Sequence, residues 1–160
     1  MREPFTQLYV HYVWSTWDRL PLITPDVERR LYGAIIHKCR ELRCIPIRIG
    51  GIQDHLHLLV RLPTTIAVAK LVQEVKGSSS HLMTHEIKPI KFFKWQGAYG
   101  AFTLRYEDVP IVKKYIINQK THNSENSLRP EWEKSEINGE IELLLEEFTD
   151  DEIIGQVNAG

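Results

Sequence analysis

Ile45-Pro46-Ile47-Arg48-Ile49-Gly50-Gly51-Ile52-Gln53-Asp54-His55-Leu56-His57-Leu58-Leu59-Val60-Arg61-Leu62 is the stretch on which the fold turns. Ile45, Ile47 and Ile49 alternate with Pro46 and Arg48, the period-2 pattern of a half-buried strand over residues 45–52. Gly50-Gly51 and Gln53-Asp54 punctuate it, and a second strand runs over residues 55–62, so the two form a hairpin. Residues two apart on a strand share a face, so His55 and His57 project together. Leu56, Leu58 and Val60 then point to the other face, which can be the core.

Working outward, residues 6–17 (Thr-Gln-Leu-Tyr-Val-His-Tyr-Val-Trp-Ser-Thr-Trp) are rich in β-branched and aromatic side chains and read as a strand. Thr24-Pro25 offers an N-cap followed by a proline at the first helical position. Val27, Leu31, Ala34, Ile35, Cys39 and Leu42 then recur at helical spacing, for a helix of about five turns. Downstream of the hairpin, Pro63 ends the strand and Thr64 or Thr65 caps a second helix, with Val68, Leu71, Val72, Val75, Ser79 and Leu82 on one face. Gly77 in its middle costs roughly 1 kcal/mol against alanine, which points to a close approach there. Residues 92–105 read as a strand bulged at Gly97 and Gly100. Asp108 and Pro110 open a helix running to about His122, and residues 139–148 read as a helix in the tail. The order of the first six elements is that of a ferredoxin-like α+β fold, an antiparallel sheet with helices on one face. A tyrosine-bearing helix and a helical tail follow it.

At 160 residues with 42% apolar side chains, the chain is one folded domain. No apolar run approaches the ~20 residues needed to cross a bilayer. The N-terminal residues carry no signal-peptide pattern. Cys39 and Cys44 complete no zinc motif or disulfide framework, so reduced thiols and a cytoplasmic setting are expected, with no membrane partner. The net charge of −1 hides a split. Through residue 122 there are 18 basic against 10 acidic side chains; from residue 123 onward, 2 against 11. A basic body with an acidic tail suits polyanion binding, and equally suits a solvated acidic helix.

Two imidazoles at the His55–His57 spacing can chelate one divalent ion if a neighbouring element adds a third ligand. Two histidines on a strand surface need no metal, however. Tyr115 and Gln119 lie four apart on a helix and share a face, with His122 on the same edge. Tyrosine can act as a covalent nucleophile. It can also be plain core here, since Val112 and Ile116 flank it on the buried stripe. Tyr99 and Tyr106 compete for the role, but neither has a glutamine one helical turn away.

Five stretches taken in order resemble one family. They are Val13-Trp14-Ser15-Thr16, Asp54-His55-Leu56-His57-Leu58-Leu59, Lys76-Gly77-Ser78-Ser79-Ser80, Trp95-Gln96-Gly97-Ala98-Tyr99-Gly100-Ala101-Phe102 and Tyr115-Ile116-Ile117-Asn118-Gln119. Together they resemble the single-tyrosine HUH transposases of small bacterial insertion sequences, the IS200-like group that includes the REP-associated tyrosine transposases. The resemblance covers about residues 6–122 and implies that this span is the catalytic domain, with 123–160 an acidic, helical tail packed on it. It implies Mg²⁺ or Mn²⁺ held by His55, His57 and Gln119, and Tyr115 as the nucleophile that cleaves single-stranded DNA through a 5′-phosphotyrosine and rejoins it. It implies a hairpin-bearing single strand as partner. Arg48, Arg61, Lys70, Lys76, Lys113 and Lys114 are candidates for phosphate contacts, and Ser78 and Ser79 for hydrogen bonds to the DNA backbone. Relatives act as homodimers with composite active sites or as monomers. Two rival readings remain: a non-catalytic or domesticated hairpin-DNA binder, and an unrelated metal hydrolase in which Tyr115 is core.

Overall fold

A computed structural model describes residues 2–87, 92–125, 127–136 and 148–155. Four strands, β1 (Tyr9–Ser15), β2 (Ile45–Gly51), β3 (His55–Arg61) and β4 (Gly100–Leu104), form a sheet in the order β2-β3-β1-β4, each antiparallel to its neighbours. Helices α1 (Pro25–Glu41) and α2 (Val68–His81) pack side by side on one face. This is the α+β, ferredoxin-like arrangement expected from the element order.

The core lies between that face and the two helices. Tyr12, Trp14, Leu56, Leu58 and Val60 project from β1 and β3 against Leu31, Ile35, Leu71 and Val75. All are 0–1% exposed, so removing one, as in Leu58→Ala, costs about 2–5 kcal/mol. The opposite face is covered by α3 (Val109–Ile117), which rests on β2 and β3 through Val112, Ile116 and Leu59. A short α4 (Gln119–Ser124) follows it, and α5 (Asp150–Ile154) lies near the end of the described chain with a Thr149–Glu152 capping box.

Several local expectations are corrected. Pairing in β2 shifts register between Pro46 and Arg48. The bulge sends Ile47 to the α3 face and Ile49 to the main core, so the alternation of isoleucines is not a single face. Helix α2 is capped by the backbone at Ala67 rather than by Thr64 or Thr65. A Cβ on Gly77 would meet nothing within 4 Å, so no close approach explains that glycine. The strand expected over 92–105 is regular only from Gly100. Before it, Trp95 bridges Thr16, and Gln96 N–H reaches the Ser15 carbonyl at 2.9 Å. The helix expected from residue 109 to 122 breaks at Asn118, whose φ of −95° and ψ of 18° end α3 and begin α4. Residues 139–147 of the expected tail helix lie outside the described residues.

Candidate active site

β1 and β3 turn alternate side chains toward α3. Tyr9, Val10, His11, Tyr12, Val13, Trp14 and Ser15 pair with residues 61 down to 55 of β3, so Val13 faces His57 and Ser15 faces His55. His55 and His57 therefore emerge together on the α3 side, at 2% and 0% exposure. Gly50 pairs with His57 from β2. A Cβ there would lie 2.6 Å from the Ile116 carbonyl oxygen, so the absent side chain lets α3 sit against the sheet beside the histidines. This approach brings Tyr115, one residue earlier, to a ring-centroid distance of 5.8 Å from His57.

Gln119, 1% exposed, points its Oε1 at His55 Nε2 across 3.2 Å. The Asn123 amide braces it, donating to its carbonyl at 2.9 Å and to Oε1 at 3.3 Å. The break at Asn118 thus leaves Tyr115 and Gln119 facing the same place, as their spacing implied. The residue that sequence reasoning missed is Glu133. Its Oε2 lies 3.2 Å from His55 Nε2 and 3.1 Å from His57 Nε2, and its Oε1 accepts a hydrogen bond from the Tyr115 hydroxyl. His55, His57 and Glu133 each offer a ligand atom, and the three atoms lie within 4.8 Å of one another.

The segment bearing Glu133 is held in place along its length. Arg129 N–H donates to the Tyr115 oxygen at 3.0 Å. The Trp132 ring stands edge-on to Tyr115 at 4.9 Å and to His11 at 6.2 Å. The Lys134 carbonyl passes over Gly100, where a Cβ would lie 1.9 Å from it. His122 stacks on the Tyr115 ring at 4.8 Å.

Protons in this cluster follow from the donors and acceptors. The Glu133 carboxylate only accepts, so both imidazole Nε2 atoms and the tyrosine hydroxyl donate to it. Burial opposes charge on His55, but hydrogen bonds to Asp54 (2.7 Å) and Glu133 outweigh it and hold its pKa up to about 9. Burial keeps His57 below the usual histidine range. Burial and then repulsion from His57 lower His11 to about 3, despite the Glu133 carboxylate. Glu133 is half-buried, which opposes its charge, yet its histidine partners hold it far below the ordinary carboxylate range. Burial and Glu133 push Tyr115 up to about 12, so its hydroxyl is protonated at neutral pH.

The remaining candidates divide by face. Lys113 and Lys114 are exposed on α3, and Arg48 is exposed on β2. Arg48 joins Arg29, Arg40 and Lys120 in lining a groove of about 820 Å³ whose wall also includes Gln119. By contrast, α2 lies on the far side of the sheet from the histidines. Ser79 is 0% exposed, donates to the Val75 carbonyl at 2.6 Å and accepts from Trp95 Nε1 at 2.9 Å. Lys76 spans to the Gln96 and Ala98 carbonyls at 2.8 Å each. Ser78 turns back to Val75 and Lys70 pairs with Glu74, while Arg61 holds the Thr6 carbonyl at 3.0 Å. Lys76 and Ser79 thus fasten the 95–98 loop to α2. Of the rival tyrosines, Tyr99 packs on Tyr12 under Lys76, and Tyr106 is 59% exposed beside Tyr9.

A family model described as "Transposase IS200 like" matches residues 4–119, which contain the histidine pair, the tyrosine and the glutamine. The chain belongs to the IS200-like transposase family. Its fold is shared with a candidate transposase from Deinococcus radiodurans R1 at 18% identity and a TM-score of 0.58, over 74% of this chain and 95% of that one. It is shared equally with a REP-associated tyrosine transposase bound to a REP hairpin, at 17% identity and a TM-score of 0.58, over 77% of this chain and 73% of that one. None of the curated proteins matches the sequence. Among the described residues, no helix of this transposase-family chain is long and apolar enough to cross a membrane.

Proposed function

We propose that the protein is a DNA transposase that cleaves and rejoins hairpin-bearing single-stranded DNA. Tyr115 is the nucleophile, and His55, His57 and Gln119 hold a divalent cation, Mg²⁺ or Mn²⁺. The observation that carries the reading is the convergence, within one chain, of two imidazole Nε2 atoms, the Gln119 carbonyl oxygen and the Tyr115 hydroxyl on one buried spot. The donor set fits a divalent cation: two imidazole nitrogens and an amide oxygen converge on one point and leave positions open for the phosphate oxygens that Mg²⁺ or Mn²⁺ favour. When bound, such an ion polarises the scissile phosphate and stabilises the leaving oxygen.

The chain's own part is to present the nucleophile. Trp132 and His122 both pack against the Tyr115 ring, which fixes the direction of its oxygen. The hydroxyl loses its proton as it attacks phosphorus, and the DNA 3′-oxygen leaves and takes a proton up. The product is a 5′-phosphotyrosine with a free 3′-hydroxyl. Attack by a 3′-hydroxyl on that ester reseals the strand and returns the tyrosine, without ATP. All of these residues come from one chain, which supports a site assembled in cis. Residues 1–122 form the catalytic domain, and residues 129–134 of the acidic segment pack against its site.

The test incubates protein and Mn²⁺ with labelled hairpin-bearing single strands from the flanks of its own gene, then reads denaturing gels for a protein–DNA adduct. Wild type forms the adduct, while Tyr115→Phe and His57→Ala do not. DNA binding without adduct on any flank makes the chain a hairpin binder, and metal-dependent hydrolysis that survives Tyr115→Phe makes it a metal hydrolase.

A further inference from the structure

We propose that Glu133 is a further ligand of the cation held by His55 and His57, and that the same carboxylate carries the Tyr115 hydroxyl against it. The proposal rests on the metal-site reading above. It concerns a residue outside the 4–119 span that the family model matches.

Adjacent donors around an octahedral ion with bonds of about 2.1 Å lie about 3.0 Å apart. Glu133 Oε2 stands 3.2 Å from His55 Nε2 and 3.1 Å from His57 Nε2, and Gln119 Oε1 stands 3.2 Å from His55 Nε2. These are the edges of such a polyhedron, drawn from four side chains on β3, α4 and the 130–133 turn. The charge argument agrees. Two neutral imidazoles and an amide leave a divalent ion's charge uncompensated in a buried site, whereas one carboxylate halves it and supplies the hard oxygen that Mg²⁺ and Mn²⁺ favour. Metal entry displaces the two Nε2 protons that now point at Glu133, so the cation takes over their positions around an acceptor already in place.

The second oxygen makes the site more than a cage. Glu133 Oε1 accepts from the Tyr115 hydroxyl while Oε2 faces the histidines, so one planar group sets the distance between nucleophile and ion. Arg129 N–H on the Tyr115 oxygen and Trp132 against its ring hold the carboxylate's segment in that register. Glu133 is thus a ligand and a positioning residue for Tyr115.

Titrating the metal-free full-length chain with MnCl₂ by calorimetry, without DNA, tests this on wild type, Glu133→Gln and His57→Ala. The expected result is Mn²⁺ binding lost in His57→Ala and weakened roughly tenfold or more in Glu133→Gln, with near-UV circular dichroism unchanged. Binding lost in His57→Ala but equal or tighter in Glu133→Gln overturns the proposal and leaves the metal site standing. It would mean that the carboxylate merely fills the place of a phosphate. No Mn²⁺ binding by wild type overturns the metal-site reading itself, and this proposal with it. A second measurement needs no variant. Hydrogen exchange of wild type with and without Mg²⁺ should show the amides of residues 129–134 equally or better protected with the ion, and loosening there overturns the assignment.

Discussion

His11 meets His57 through one 2.8 Å hydrogen bond between Nε2 and Nδ1, and both rings are out of water. When His57 Nε2 serves as a ligand, its Nδ1 must carry the proton and His11 Nε2 must accept it. His11 therefore fixes the tautomer and the plane of the ligand ring. Among the described residues its own Nδ1 has no hydrogen-bond partner, so the bond to His57 is the ring's one polar contact. His11→Gln should lower Mn²⁺ affinity about 10–100-fold while Tyr115 stays in place, read by calorimetry beside the Glu133 variants. The same residue shapes acid stability in the metal-free protein. Its folded pKa of about 3 lies below the free value of 6.5, so between those limits the unfolded chain binds a proton that the native chain does not, and stability falls as pH falls. His55 has the opposite sign. Raised to about 9, it contributes stability that is complete below 6.5 and lost as pH rises through 9. Urea unfolding across pH 4–9 should show a maximum near the free histidine pKa, and His11→Gln should flatten the acid limb.

Elements meet the site through backbone as much as side chains. Gly50 is the case in point: α3 approaches β2 so closely that a methyl group would sit 2.6 Å from a carbonyl of that helix. Gly50→Ala should push α3 outward, lower stability by about 1–3 kcal/mol and separate Tyr115 from His57, so that adduct formation falls more than Mn²⁺ affinity. Gly77→Ala should do the reverse. With open space around it in mid-helix, it should raise stability by about 0.5–1 kcal/mol without touching cleavage. The contrast shows how far the sequence could be read. Both glycines interrupt apolar patterns, and only the packing tells which one is needed. The strand pairing of 45–62, the helical stripe from Val27 to Leu42 and the same-side placement of Tyr115 with Gln119 follow from periodicity, which is a local property. The bulge after Pro46, which turns Ile47 to α3, and the break at Asn118 are encoded by no local period.

Across the whole molecule the two faces of the sheet separate the candidate DNA-contacting cations. Charge counting alone placed Lys70, Lys76 and Arg48 on equal terms. The fold separates them, because α2 lies on the core side with Lys76 spent on two carbonyls and Lys70 on Glu74, whereas Arg48 opens onto the groove that Gln119 also lines. Glu133 was illegible for the same reason: one carboxylate among eleven in an acidic tail, distinguished only by the strap that folds back over Gly100. Arg29, Arg40 and Arg48 have no carboxylate partner among the described residues, while Lys120 is paired with Glu28 at 2.6 Å. A single strand approaching Tyr115 along this groove would lay its phosphates on those three guanidinium groups. Each contact to single-stranded DNA contributes about 0.7 to the slope of log affinity against log salt. The Arg40→Ala, Arg48→Ala double variant should therefore bind single strands severalfold more weakly and with a slope shallower by about 1.4, in fluorescence anisotropy from low to moderate salt. Lys70→Ala should change neither. Equal losses in both would put the strand on the α2 face. An unchanged slope in the double variant would leave Lys113 and Lys114, exposed on α3 beside the tyrosine, as the phosphate contacts.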